Sequence, residues 1–334
     1  MSVDLTIAWA AIISFAIIMY VLMDGFDLGI GILFPFFRSK AARDVMMNSV
    51  APIWDGNETW LVLGGVGLFA VFPLAYSVIL SAFYAPLILM LIALIFRGVA
   101  FEFRFKSTRL RPVWDVGFAG GSIVATFVQG AALGALIDGI RVVDRAYAGG
   151  PFDWLTPFAV FAGLALIAGY AMLGCGWLIL KAEGELQARM FRLMPTLSGL
   201  VLFAVAVVSL WTPLAHEAIA RRWFSLPNLY YLAPVPLLVA LVAGAMARAL
   251  LRRAEAQPFA LGIALFVLSY AGLGISLWPN VVPPSISIWD AAAGRETQTF
   301  MLIGVIVLIP IILGYTAYSY WVFRGKVADA GYHG

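Results

Sequence analysis

Trp54-Asp-Gly-Asn-Glu-Thr-Trp60 opens one apolar run, and Asp24-Gly-Phe-Asp27 lies inside the run before it, residues 7–37. A membrane-crossing helix needs about 20 mostly apolar residues, and each run meets that length. Both are therefore read as transmembrane helices with carboxylates inside or at the end of them. Ionisable groups in membrane segments are costly, so each is by default a functional residue. Asp24, Asp27, Asp55 and Glu58 stand near one end of two consecutive helices. A proton or cation path is the first chemistry that such a grouping points to.

The rest of the chain agrees with a membrane setting. Of its 334 residues, 63% are hydrophobic and 12% are charged. A soluble domain has roughly 45–50% apolar and about 25% charged residues. The first apolar run has no basic leader and no cleavage site, and is expected to be retained as a helix. Cys175, the single cysteine, rules out an internal disulfide. In Gly174-Cys-Gly176 it is expected to serve as a small residue at a helix contact.

Nine spans are expected, over residues 7–34, 54–73, 76–101, 114–136, 157–180, 195–214, 230–250, 258–279 and 299–323, in one integral membrane domain (1–334). The break between the second and third rests on Pro73 and on the length of the run. With the N-terminus outside, the outer loops hold Arg141, Arg145, Arg221, Arg222 and Arg295. The other 16 of the 21 Lys and Arg fall on the opposite side. Basic residues concentrate on the cytoplasmic side of membrane proteins. The N-terminus is thus expected in the periplasm and the C-terminus in the cytoplasm. The basic residues mark orientation and lipid headgroup contact, so nucleic acid is not an expected partner.

This topology gathers carboxylates. Asp27 lies about 20 residues past Ile7, roughly 30 Å along a helix, near the cytoplasmic edge of the hydrocarbon. Asp55 begins the second span on that side, and Glu102 ends the third in Arg97-Gly-Val-Ala-Phe-Glu-Phe-Arg104. Plainer readings stand beside this one. Asp24 and Asp27 are also suited to ending the membrane part of their helix, with residues 28–37 along the interface. Acidic residues in a first turn, such as Asp55 and Glu58, also complement a helix dipole. Histidine is limited to His216, in an outer loop, and His333, in the tail. A haem between membrane helices usually takes axial His or Met from them, so a b-type haem held by two histidines of this chain is not expected. No metal-ligand spacing or phosphate loop is present. Gly64-Gly-Val-Gly67 reads as small residues for helix contact. Trp54, Trp114, Trp154, Trp211, Tyr230, Tyr231, Trp278 and Trp321 fall near span ends, as interfacial aromatic residues do.

Several stretches resemble one family. Asp24-Gly-Phe-Asp-Leu-Gly29 followed by Asn48-Ser-Val-Ala-Pro-Ile-Trp-Asp-Gly-Asn-Glu-Thr-Trp-Leu61 is similar to subunit II of the cytochrome bd-type quinol oxidases. So are Phe96-Arg97 with Phe101-Glu-Phe-Arg104, Leu173-Gly174 with Trp177, Lys181-Ala-Glu-Gly184, and Pro310-Ile-Ile-Leu-Gly-Tyr-Thr316 with Phe323-Arg-Gly-Lys326. The wording of Asp55-Gly-Asn-Glu-Thr-Trp60 looks most like the cyanide-insensitive branch. The resemblance implies a complex in the bacterial inner membrane that oxidises quinol and reduces dioxygen to water. It implies two b-type haems and one d-type haem in subunit I, which also holds the substrate-quinol loop. Subunit II is then a haem-free partner of subunit I, built as two four-helix bundles plus one peripheral helix. The resemblance puts the proton path on Asp27, Asp55 and Glu102, supported by Asp24, Trp54, Glu58 and Arg97. Relatives often have Asp where Glu102 stands. Some relatives hold a structural quinone in this subunit, with no residues assignable here, and some complexes add a small single-helix subunit. The alternative is an independent proton- or cation-coupled secondary transporter. A purely structural membrane anchor would leave Asp27 and Asp55 without a role.

The topology is testable by labelling. With Cys175 replaced, a cysteine at Arg109 is expected to react with an impermeant thiol reagent only from the cytoplasmic side. Reaction from outside would show the orientation inverted.

Overall fold

The structure, a computed structural model, describes residues 4–327. His333, placed in the tail by the sequence, lies outside them. Eight stretches of the described residues are long and apolar enough to cross a membrane. They contain α1 (Leu5–Leu33), α4 (Pro73–Lys106), α5 (Arg111–Asp138), α6 (Pro157–Lys181), α7 (Gly184–Ala215), α10 (Pro234–Leu251), α11 (Gln257–Leu277) and α13 (Arg295–Val322). The ninth expected span is α3 (Trp54–Val71), whose 18 residues include Asp55, Asn57 and Glu58. It is too polar to stand with the other eight on composition. Its length of roughly 27 Å is nevertheless close to the hydrocarbon thickness. The shorter helices are α2 (Lys40–Asn48), α8 (Glu217–Phe224), α9 (Asn228–Leu232) and α12 (Ile288–Ala291).

The break before α4 has a local cause. Phe72 leaves helical geometry (φ −122°, ψ 60°), and Pro73 starts the next helix. Proline suits a first helical position because the N–H it lacks would be unpaired there. Farther along α4 the helix bends at Phe83 (φ −116°, ψ 18°), three residues before Pro86. α7 begins well before the expected residue 195 and runs through Pro195.

Helix neighbours fall into two closed rings. α1, α3, α4 and α5 pack in sequence around one ring, and α6, α7, α10 and α11 around the other. α1 and α5 join the first ring to α6 of the second. α13 rests on α3 and α1 at the edge of the first ring. Two four-helix bundles and a peripheral helix are thus present. Small residues set the closest approaches. A Cβ on Gly29 would lie 1.8 Å from the Tyr170 carbonyl oxygen, and one on Gly174 would lie 2.5 Å from the Gly29 carbonyl carbon. Helix backbones meet in this way where glycine or another small residue allows it. Cys175 is buried beside this contact, and its thiol donates to the Met190 carbonyl oxygen of α7.

Short hairpins close the ends opposite the site, β1 (Val142–Val143) with β2 (Ala146–Tyr147), and β3 (Asn280–Val282) with β4 (Ile286–Ser287). At the other end a latch holds the segment after α13. Lys181 donates to the Phe323 and Gly325 carbonyls, and Lys326 pairs with Glu255 at 2.6 Å. This gives the Lys181-Ala-Glu-Gly184 motif a structural role.

Gly29→Ala is expected to lower the melting temperature of the purified complex sharply, since overpacking alone costs about 1–3 kcal/mol. Gly199→Ala, with nothing within 4 Å of the added Cβ, is expected to leave it unchanged. Equal effects would contradict the backbone contact.

Candidate functional site

The α1 helix does not end at Asp27. It continues to Leu33, with Asp24 to Leu33 all buried, so residues 28–33 lie in the bundle and not along the interface. Asp24 sits nine residues before the end of α1, and Arg97 nine before the end of α4. Each is therefore roughly 14 Å inside its helix end. The two meet across the bundle, and both are fully buried.

Arg97 is the centre of the site. Its Nη1 lies 2.7 Å from Asp24 Oδ1 and 2.7 Å from Glu58 Oε1, and its Nη2 lies 3.7 Å from Asp27 Oδ2. One guanidinium thus faces three carboxylates from two helices. Asn57 of α3 completes the far side of Asp27. Its Nδ2 donates to Asp27 Oδ2 at 2.7 Å and to the Met23 carbonyl at 3.3 Å, while its Oδ1 accepts from the Tyr320 hydroxyl at 3.0 Å. Asp27 Oδ1 is buried with no hydrogen-bond partner among the described residues.

A second polar line leaves Asp24 in the other direction. Tyr20, one turn earlier on α1, faces the Asp24 carboxylate. Gln129 donates to the Tyr20 hydroxyl at 2.8 Å and accepts from the Tyr170 hydroxyl at 3.0 Å. Polar groups of α1, α3, α4 and α13 thus form one ion-paired and hydrogen-bonded set, and those of α1, α5 and α6 a second that begins one turn before Asp24.

Two turns further along α4, Arg104 forms a separate network. It pairs with Asp44 of α2 and Asp115 of α5, and Arg43 pairs with Asp115 at 2.7 Å. This network fastens α2 across the end of the bundle. The third expected span, 76–101, therefore runs on past its expected end to Lys106.

The expected site residues divide. Asp27, Asp24, Glu58 and Arg97 are brought together. Trp54 stacks on Phe101 beside them, with ring centroids 5.1 Å apart, and Phe101 lies under the Arg97 guanidinium. Asp55 stands exposed in the first turn of α3. Its carboxylate is not the helix cap, and it takes no hydrogen bond or ion pair among the described residues. Glu102 is also exposed and pairs with Lys106 on the surface at 3.0 Å. Asn57, Tyr320, Tyr20, Gln129 and Tyr170 were not anticipated. Asn57 had a sequence signal, being a polar residue between two carboxylates in a membrane helix. The others did not, because a lone tyrosine or glutamine in a span has no partner until the helices are packed.

Metal and haem chemistry find little support in these side chains. Among the described residues, no group of three His, Cys, Asp or Glu is placed to hold a metal ion. His216 lies between α7 and α8, 3.6 Å from Asp138 Oδ1. No span offers an imidazole, so the residues here do not fit a haem with histidine ligands.

Comparison with known proteins fits this arrangement. A family model described as cytochrome bd terminal oxidase subunit II matches residues 5–323. The chain belongs to that family. It is 32% identical over 360 residues to the "Cytochrome bd-I ubiquinol oxidase subunit 2" of Escherichia coli K12, covering 96% of this chain and 94% of the relative. It is 28% identical over 332 residues to the "Cytochrome bd ubiquinol oxidase subunit 2" of Bacillus subtilis, covering 96% of each. A chain in the structure of bd oxidase from Geobacillus thermodenitrificans shares the fold, with a TM-score of 0.77 at 14% identity, over 96% of this chain and 99% of that one. The subunit is thus a multi-pass inner-membrane component of an oxidoreductase complex with a subunit I partner. Membership replaces the transporter reading, and the buried cluster must be understood as part of that complex.

The Arg97 cluster and the surface pairs should respond differently to mutation. Arg97→Met leaves the buried Asp24 and Asp27 and the part-buried Glu58 without their cation, and losing one partner of a buried ion pair costs about 3–5 kcal/mol. Recovery and melting temperature of the complex should fall steeply. Lys106→Met removes only an exposed pair, worth about 0–1 kcal/mol, and should change neither. A mild Arg97→Met phenotype would show that the carboxylates do not depend on it.

Proposed function

We propose that the subunit conducts protons from the cytoplasm through the Arg97 cluster toward subunit I, and braces that partner in the membrane. The complex would oxidise quinol, the substrate class carried in the names of the relatives. Reduction of dioxygen to water takes up protons as well as electrons, and the haems of subunit I would supply the electron chemistry.

The observation that carries this reading is the three-to-one ratio of carboxylates to guanidinium in a site where Arg97, Asp24 and Asp27 are fully buried and Glu58 is part-buried. Fully ionised, the cluster would hold an excess of two negative charges away from water. Burying unpaired charge is costly, and taking up protons relieves it. Arginine stays charged, so Arg97 would hold the carboxylates in place and never carry the proton itself. Asp27 would receive the proton on its unpartnered Oδ1. Asp24 would take it next, across the face of Arg97. Glu58, whose side chain is 25% exposed, would release it at the edge of the subunit. Asp55 and Glu102, both exposed at the same end, would act as collectors that raise the local proton supply. The Tyr20–Gln129–Tyr170 line would fix Asp24 from behind.

These roles give an order of sensitivity. Asp27→Asn should lower quinol-driven oxygen consumption by on the order of tenfold or more at full haem content, as loss of a positioned proton carrier does. Asp55→Asn should have a smaller effect, Glu102→Gln a smaller one still, and Glu102→Asp almost none. If Asp27→Asn carries full haem and turns over at the unmutated rate, the cluster is not the path.

A further inference from the structure

The path described above needs an entrance, since Asp27 is fully buried. One crevice reaches toward it. It lies between the turn after α2 and the last turns of α13, and is lined by Ile53, Gly56, Asn57, Thr316, Ser319 and Tyr320, with Pro52 and Tyr315 at its edge. Its volume is about 10 Å³, the room of a single water. A buried water needs two to four polar partners, and Asn57, Thr316, Ser319 and Tyr320 line the space with such groups.

Asn57 is the wall shared by crevice and carboxylate. All three of its polar positions are engaged, with Asp27, Met23 and Tyr320. An amide held in this way shields Asp27 and is not a proton carrier. Among the described residues, its hydrogen bond to α13 is the one from Tyr320. That helix rests chiefly on α3 and α1, and most of its surface is exposed. Tyr320 is therefore carried by the span with the fewest neighbours.

We propose that this crevice is the port through which water from the cytoplasm delivers protons to Asp27, and that the Tyr320–Asn57 hydrogen bond is its gate. The proposal rests on the proton-path reading. With the bond made, Asn57 caps Asp27 and the port is shut. When the end of α13 shifts and Tyr320 lets go, the Asn57 amide turns and a water in the crevice reaches Asp27 Oδ1. No covalent bond is made beyond the transfer of a proton from that water chain to the carboxylate. Tyr320 is a positioning residue, since its part is to hold Asn57.

The test uses the whole complex in inverted membrane vesicles, with Cys175→Ser as background. Ser319→Cys is treated with a charged, impermeant methanethiosulfonate reagent, and Tyr318→Cys, on an exposed face of the same helix, serves as control. Modification at Ser319→Cys should lower oxygen consumption about tenfold at constant haem content, and a thiol reductant should restore it. The control should react without loss. Tyr320→Phe, which cannot hold Asn57 over Asp27 and so leaves the port open, should raise kcat severalfold with an unchanged KM for quinol, which disruption of a substrate site would not do. A Ser319→Cys complex that fails to react from the cytoplasmic side, or that reacts fully and keeps its rate, overturns the port. An unchanged or lowered kcat for Tyr320→Phe overturns the gate. If Asp27→Asn still abolishes turnover in either case, the path stands and its entrance lies elsewhere. If Asp27→Asn is silent, the path itself has failed.

Discussion

A single buried arginine among three carboxylates governs this molecule. Arg97 lies far inside the bundle, where an unpaired cation is untenable, and the buried Asp24 and Asp27 are equally untenable without it, with Glu58 joining them from the edge. The pairings fix the rotation of α1, α3 and α4 about their own axes. They also leave more negative than positive charge, and that imbalance is the source of the proposed chemistry. A site of equal charges would be a structural pin, whereas an excess of carboxylates can take up a proton to relieve its charge.

The remaining architecture holds this site at constant geometry on one side and leaves it freer on the other. Gly29 and Gly174 bring α1 and α6 into backbone contact, so the helix that carries Asp24 and Asp27 is fixed to the second bundle. Arg104, Asp44, Asp115 and Arg43 fasten the end of the first bundle two turns from Arg97. On the opposite side stands α13, whose Tyr320 hydrogen-bonds Asn57 of the site. The rigid contacts set distances between carboxylates, and the peripheral helix is where motion is least opposed.

Much of this was legible in the sequence because membrane physics is strict. Length and apolarity marked the spans, Pro73 marked the break before α4, and the carboxylates of the first two spans marked the site. Arg97 was harder. It stood near the end of the third expected span as a supporting residue, and only packing shows that α4 continues for nine residues beyond it and that three carboxylates converge on it. Glu102 and Asp55 shared an end of the bundle with Asp27, but side-chain direction, which sequence position alone does not give, turns them to the surface. Tyr320 and Gln129 were illegible because their meaning comes wholly from partners distant in the chain, Asn57 for one and Tyr20 for the other. The resemblance to the oxidase family supplied the reaction, and residue types supplied the need for a buried polar cluster. Neither supplied its stoichiometry.

The central claim is that the Arg97 cluster changes its protonation during turnover. Infrared difference spectra of the complex, recorded between oxidised and reduced states in water and in deuterium oxide, measure this directly. A carboxyl stretching band that shifts in deuterium oxide and is lost or displaced by Asp24→Asn, Asp27→Asn or Glu58→Gln is the predicted result. Carboxyl bands identical in all three variants and the unmutated complex would contradict it.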